Sequence, residues 1–238
     1  MSRPPSPALR PVRSFVRREG RLTRGQQRAL DRLWPRFGIP EQDIPLDLDV
    51  LFGRQAPTVL EIGFGNGEHL ADMAQAHPEL NLIGVEVHRP GVGHLLQLLE
   101  QRGLSNVRVV IGDAQDLLRL RLRDGALARI LVLFPDPWPK RRHHKRRLIQ
   151  AGFLELAASR LRPGGILQLA TDWADYAAHV DRLMGQTDAF EPVTDELDRR
   201  SVPLSRSPTR FERRGLRLGH QIHERLYRRR DGLLLSQG

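Results

Sequence analysis

Three features of the chain predict an α/β protein built on a mostly parallel sheet with helices on both faces. Short apolar runs alternate with helical stretches, a glycine turn follows the first run directly, and an acid or a glycine stands at the end of each. Runs of this length bounded by turn residues read as strands buried on both sides, and the helices between them supply the crossovers. Ligands of such sheets bind beyond the carboxyl ends of the strands, where the strand order reverses. In this chain those ends carry Glu61 with the glycines, Glu86, Asp113, Asp136 and Thr171-Asp172.

Residues 1–50 read as a basic arm and lead-in. Residues 51–238 read as the domain that carries the sheet, with a basic segment at 199–230. Residues 1–12, rich in Pro, Arg and Ser, have the composition of a disordered segment. A helix is expected at 23–33 with Thr23 as N-cap, followed by an acidic loop at 39–49. From Thr58 onward the pattern predicts strands at 59–62, 82–86, 107–111, 128–134 and 166–170. The helices between them are expected at 68–77, 91–102, 116–122, 145–161 and 173–184, with a turn at Pro163-Gly164-Gly165. Residues 222–228 alternate and predict a terminal, antiparallel strand.

The formal net charge of +10 is unevenly spread. Residues 1–36 hold ten Arg against Glu19 and Asp31, residues 140–147 hold six Lys/Arg and no acid, and residues 199–230 hold eleven Arg against Glu212 and Glu224. The remainder is acidic, so the cations form a polyanion footprint made from both ends and one loop. Lys140 and Lys145 are the only lysines among 38 basic residues, which marks their loop as a place for a compact ammonium in place of a planar guanidinium. There is no cysteine, hence no disulfide framework and no thiolate chemistry, and a cytoplasmic address is expected. No apolar run approaches the roughly 20 residues of a membrane span, so no membrane association is expected. Nor does the pattern call for a metal.

Chemistry concentrates in residues 131–147. An apolar strand breaks at Pro-Asp-Pro-Trp-Pro, which presents Asp136 and Trp138, and the cationic run follows at once. An acid, a ring and a basic tract are what is needed to hold a base beside a reactive group while gripping phosphates. The turn Gly63-Phe64-Gly65-Asn66-Gly67 lets backbone approach a ligand closely. A dinucleotide fingerprint would need glycine where Glu68 stands, and Glu68 would repel a pyrophosphate. Glu61 and Glu68 suit a ligand with a cationic part, Glu86 a ribose diol, and Asp113 an exocyclic amine. Amino acid, sulfonium, ribose and adenine together describe S-adenosylmethionine.

These residues resemble the bacterial tRNA (guanine-N7-)-methyltransferases of the TrmB type. The matching stretches are RSFVRREGRLTRGQ (13–26), LEIGFGNGEHL (60–70), IGVEVH (83–88), GDA (112–114), FPDPWPKRRHHKRR (134–147), LRPGG with ATDW (161–173) and SPTRFERRGLRLGH (207–220). The resemblance implies a class I, Rossmann-like methyltransferase fold whose seven-stranded sheet ends in an antiparallel strand. It implies that Glu61, Gly63, Gly65, Gly67, Glu86, Asp113 and Asp136 line the S-adenosylmethionine site. It implies that Lys140, Asp172, Thr209, Arg210, Phe211 and Glu212 contact substrate and that Arg142, His143, His144, Lys145, Arg146 and Arg147 touch RNA. The expected product is N7-methylguanosine at position 46 of the tRNA variable loop, made by a monomer or homodimer.

Guanine N7 already carries an in-plane lone pair, so no catalytic base is required, and positioning supplies most of the catalysis. Asp136 is expected to stabilise the charge that develops on the purine and, with Asp172, to accept from its N1–H and N2–H. Trp138 either stacks on a base or plugs the loop. The rival readings are a methyltransferase with another substrate and an RNA-binding scaffold without catalysis. Glu68 disfavours an NAD oxidoreductase.

Overall fold

A computed structural model describes residues 20–42, 44–194 and 208–231. The expected disorder of residues 1–12, most of the early part of the basic segment 199–230, and the side chains of Arg210 and Phe211 lie outside the described residues.

Seven strands form one sheet in the order β3-β2-β1-β4-β5-β7-β6. In chain order they are β1 (Thr58–Ile62), β2 (Asn81–Glu86), β3 (Val107–Ile111), β4 (Leu127–Leu133), β5 (Leu161–Thr171), β6 (Phe190–Pro192) and β7 (His223–Arg229). The first five pair in parallel, whereas β7 runs antiparallel between β5 and β6. The order reverses between β1 and β4. Ile62 pairs with Val85 on one side and Val132 on the other. The residues that follow, Gly63, Glu86 and Leu133-Phe134, therefore emerge at one level.

Side chains alternate across the pleat, so each strand feeds two cores. Val59, Leu82, Val109 and Leu131 face α1 (Arg24–Phe37), α3 (Glu68–Ala76) and α4 (Arg89–Gln101). Leu60, Ile83, Ile130 and Leu167 face α6 (Ala151–Arg160) and α7 (Ala174–Met184). Between β4, β5 and β7 a buried polar chain runs from Arg129 to the Gln168 side chain, which donates to Glu224 at 2.6 Å. These contacts tie the three strands together across their pairing.

Several boundaries differ from expectation, each for a physical reason. The acidic lead-in contains α2 (Leu48–Phe52), capped by Asp47, which accepts from the Asp49 and Val50 amides. The helix expected at 116–122 is α5 (Ala114–Asp116) continued by a π turn, Leu117–Arg121. The single helix expected at 145–161 is two pieces: a 3-10 turn, Arg141–Arg146, and then α6. Extended backbone at Arg147 and Gln150 separates them and turns Leu148 and Ile149 into the core. β5 runs through Pro163-Gly164-Gly165 by bulging against β4, with Leu127 opposite Leu161 and Arg129 opposite Ile166. β6 has only three residues, too few to show a period. The Thr209-to-Glu212 tract starts a helix, α8 (Arg210–Arg217).

Candidate active site

The glycine turn adopts left-handed backbone at Gly63, Gly65 and Gly67, with φ of 71°, 60° and 79°. This geometry points the Gly65 amide at Glu86, whose Oε2 accepts it at 2.9 Å. The other oxygen, Oε1, accepts from the amides of Val87 at 2.7 Å and His88 at 2.9 Å. Three backbone donors thus hold one carboxylate at the end of β2. Asp113 is held by its role as cap of α5, accepting from the Gln115 amide at 2.9 Å. A cleft of about 260 Å³ opens above the switch point. Gly63, Gly65, Glu86, Asp113 and Asp136 line it together with Ile62, Val85, Leu133, Phe134 and Leu148. A Cβ added at Gly63 would meet nothing within 4 Å among the described residues, so its backbone is open to a ligand on that side. Apolar walls, bare glycine backbone and three carboxylates suit a nucleoside that carries a cationic tail, and S-adenosylmethionine has that chemistry. Glu86 would hold the ribose and Asp113 the base.

Two residues expected at the cofactor stand outside the cleft. Glu61 is 2% exposed and its Oε2 meets His69 Nδ1 at 2.9 Å, while His69 Nε2 is buried with no hydrogen-bond partner among the described residues. Gly67 supports the fold: a Cβ there would lie 2.6 Å from Leu95 Cβ, so it sets the approach of α3 to α4.

Asp136 is exposed at the mouth of the cleft, on a turn framed by two strained residues. Phe134 and Trp138 have φ of 52° and 46°. Both precede a proline, which disfavours helical backbone, so this conformation needs outside support. Arg147 supplies some of it. Expected on RNA, this side chain is instead 1% exposed. Its Nε donates to the Pro137 carbonyl at 2.9 Å, it pairs with Asp175, and it lies over the Tyr176 ring at 4.9 Å. The Tyr176 hydroxyl in turn accepts from the Ile149 amide at 3.1 Å, and burial pushes its pKa up to about 12. The hydrogen bond from Arg147 holds the Asp175 carboxyl below the usual range. One arginine of the basic tract is thus an internal clamp for the turn that bears Asp136.

The rest of the tract faces outward. Lys140, Arg141, Arg142 and Lys145 are exposed, and His143, His144 and Arg146 are half-buried. Desolvation and the surrounding cations Arg142, Arg146, Lys140 and Lys145 hold the His143 imidazole below its ordinary value. Arg146 lies over the Trp138 ring at 5.0 Å and the His143 ring meets its edge at 5.8 Å. Trp138 therefore packs against the tract's own side chains.

α8 joins the site from the C-terminal segment. Thr209 and Glu212 form its capping box: Thr209 Oγ1 accepts from the Glu212 amide at 3.1 Å, and the Thr209 amide donates to Glu212 Oε2 at 3.3 Å. Arg213 reaches Glu68 at the start of α3, at 3.2 Å. His220 Nδ1 lies 3.1 Å from Asp172 at the end of β5. These two links bring the Thr209-Glu212 tract toward the strand ends. Asp175 and Tyr176 carry no signal in the sequence, His69 and His220 appear there only within the matching stretches, and the capping box is visible as T-x-x-E. Among the described residues no group of three His, Asp or Glu could hold a metal ion, and no helix is long and apolar enough to cross a membrane.

A family model described as "Putative methyltransferase" matches residues 55–225. A tRNA (guanine-N(7)-)-methyltransferase from Alkalilimnicola ehrlichii is 55% identical over 230 residues, which cover 93% of this chain and 94% of the relative. The enzyme of the same name from Halorhodospira halophila is 56% identical over 223 residues, 93% and 96% of the two chains. Among solved structures, the 16S rRNA methyltransferase KamB superposes with a TM-score of 0.52 at 15% identity over 77% of this chain and 92% of its own. The antibiotic-resistance methyltransferase Kmr does so with a TM-score of 0.52 at 18% identity, over 82% and 95%. At these identities the structural likeness shows the class I methyltransferase fold.

Proposed function

The chain belongs to the tRNA (guanine-N7-)-methyltransferases, and from that premise we propose that it methylates guanosine 46 in the tRNA variable loop. It transfers a methyl group from S-adenosylmethionine to N7 of guanine in tRNA. The observation that supports methyl transfer to an RNA base is the convergence of Glu86, Asp113 and Asp136 on one cleft flanked by the Lys/Arg tract, and position 46 is what the resemblance implies. The cysteine-free composition supports a cytoplasmic setting.

S-adenosylmethionine supplies an electrophilic methyl on a sulfonium when bound. The chain's own part is to position and to stabilise. Glu86 and Asp113 fix the nucleoside end, and the bare backbone at Gly63 and Gly65 lets it approach. Asp136 offsets the positive charge that develops on the purine. With Asp172 it accepts from guanine N1–H and N2–H, a pattern that adenine lacks. Since Asp172 is engaged by His220 at 3.1 Å, guanine would have to share or replace that contact. Thr209, Arg210, Phe211 and Glu212 belong to the substrate side through α8. Lys140, Arg142, Lys145 and Arg146, with His143 and His144, offer the RNA a cationic surface.

The test is incubation with methyl-labelled S-adenosylmethionine and unmodified tRNA, followed by nuclease digestion and mapping of the label. We expect a single N7-methylguanosine at position 46. Label on cytosine or adenine, or at another guanosine, would sink the reading.

A further inference from the structure

Helix α1 carries a row of charge that the cleft does not use. It starts at a capping box in which Thr23 accepts from the Gln26 amide at 3.2 Å and the Thr23 amide donates to the Gln26 side chain at 2.9 Å. Its inner side, Ala29, Leu30, Leu33 and Phe37, is buried. Gly93 of α4 sits so close that an added Cβ would lie 2.8 Å from Gln26 Cβ. The helix is thus fixed to the body.

On the outer side Arg24, Arg28, Arg32 and Arg36 recur every fourth residue, and all four are exposed. A step of four residues advances about 6 Å, so the row is about 18 Å long. Like charges at this spacing oppose helix formation, so the row does not serve the helix. Arg32 pairs with Glu100 at 2.5 Å and Arg36 lies over the Phe37 ring at 4.8 Å. Arg24 and Arg28 have no carboxylate within ion-pair distance among the described residues, the nearby Asp31 accepting instead from Gln27 at 2.8 Å. The row also has a direction. Before it, Gly20 adjoins His88, two residues past Glu86 of the cleft: a Cβ on Gly20 would lie 2.4 Å from His88 Nε2. After it, the Ile39 amide donates to the Val109 carbonyl at 2.8 Å on edge strand β3.

We propose that α1 is a rail for the phosphate backbone of tRNA, carrying an arm of the molecule from the cleft toward the β3 edge of the sheet. The proposal rests on tRNA being the substrate. Charge complementarity selects the occupant, since the row is cationic and the substrate is a polyanion. Contacts to phosphates position a nucleic acid without reading its sequence. The rail therefore acts on a part of tRNA beyond the target guanosine, and a short hairpin bearing only that guanosine would not reach it.

The experiment compares filter binding of full-length tRNA and of a variable-arm hairpin, without cofactor, for the Arg24→Gln/Arg28→Gln double variant. We expect the Kd for full-length tRNA to rise on the order of tenfold and its salt slope to fall by about 2, with hairpin binding unmoved. Lysine at both positions should restore binding, because a phosphate accepts either cation. An equal loss for both RNAs, no loss for either, or failure of lysine to rescue would overturn the rail. Binding is read without methyl transfer, so a wrong N7 assignment would leave this result standing, and a failed rail would leave the product base unchanged.

Discussion

Asp136 and Arg147 stand eleven residues apart in the chain and act on the same turn. Asp136 faces the cleft, whereas Arg147 holds the turn from beneath through the Pro137 carbonyl. Asp136→Asn should lower single-turnover methyl transfer at least about 10²-fold while tRNA affinity stays within about twofold. Equal loss of both would make the residue structural. Arg147→Ala removes a donor to a half-buried carbonyl and the packing over Tyr176, at a stability cost of about 2 kcal/mol. Its kcat should fall with the salt slope of tRNA binding unchanged, and Arg147→Lys should recover little because an ammonium lacks the planar fork. Arg142→Ala should do the reverse, lowering the slope by about 1 and sparing kcat. A changed slope for Arg147→Ala would return it to the RNA surface.

The glycine turn shows how a single element serves two ends. Gly63 and Gly65 line the cleft, while Gly67 starts α3 with φ 79° against Leu95. A side chain at Gly67 meets both left-handed strain and overpacking, so Gly67→Ala should cost about 3 kcal/mol and lower Tm by about 10 °C in a thermal melt. An unchanged Tm would mean that α3 and α4 can part without penalty. The 3-10 turn and α6 form a second such case, because the extended residues between them let Leu148 reach the cleft and Ile149 the core.

Across the whole molecule, two carboxylates on α7 tie distant parts together. Asp175 anchors the basic tract through Arg147. Asp181 anchors β7 by accepting from Arg225 at 2.9 and 3.0 Å and from the Tyr227 hydroxyl at 3.2 Å. Hydrogen bonds from these arginines hold both carboxyls below their usual range. Their stabilisation is therefore present above the ordinary value of about 3.9 and is lost as pH falls through the lower folded value. Solvent screening keeps each below about 1 kcal/mol. Acid unfolding of Asp181→Asn should show a shallower loss of stability below pH 4 than the parent, measured by denaturant melts across pH. The same pH slope in both chains would remove Asp181 from the acid response.

The sheet class, five parallel strands, the antiparallel last strand and the cleft residues Gly63, Gly65, Glu86, Asp113 and Asp136 were legible in the chain itself. The reason is local: apolar runs, glycines and strand-end acids state their environment through hydrophobic period and turn chemistry. What the chain could not state was which long side chains turn inward. Arg147 and Arg142 lie in one cationic run, yet one is buried under a turn and the other faces solvent. Glu61 and Glu86 both end strands, yet one pairs with His69 beneath the cleft and the other lines it. These outcomes depend on partners far away in sequence, Asp175 and Tyr176 for the arginine, and on a helix packed behind a strand for the glutamate. Charge and composition mark a residue as able to bind. Only the packed fold decides whether its partner is a ligand or the protein's own backbone.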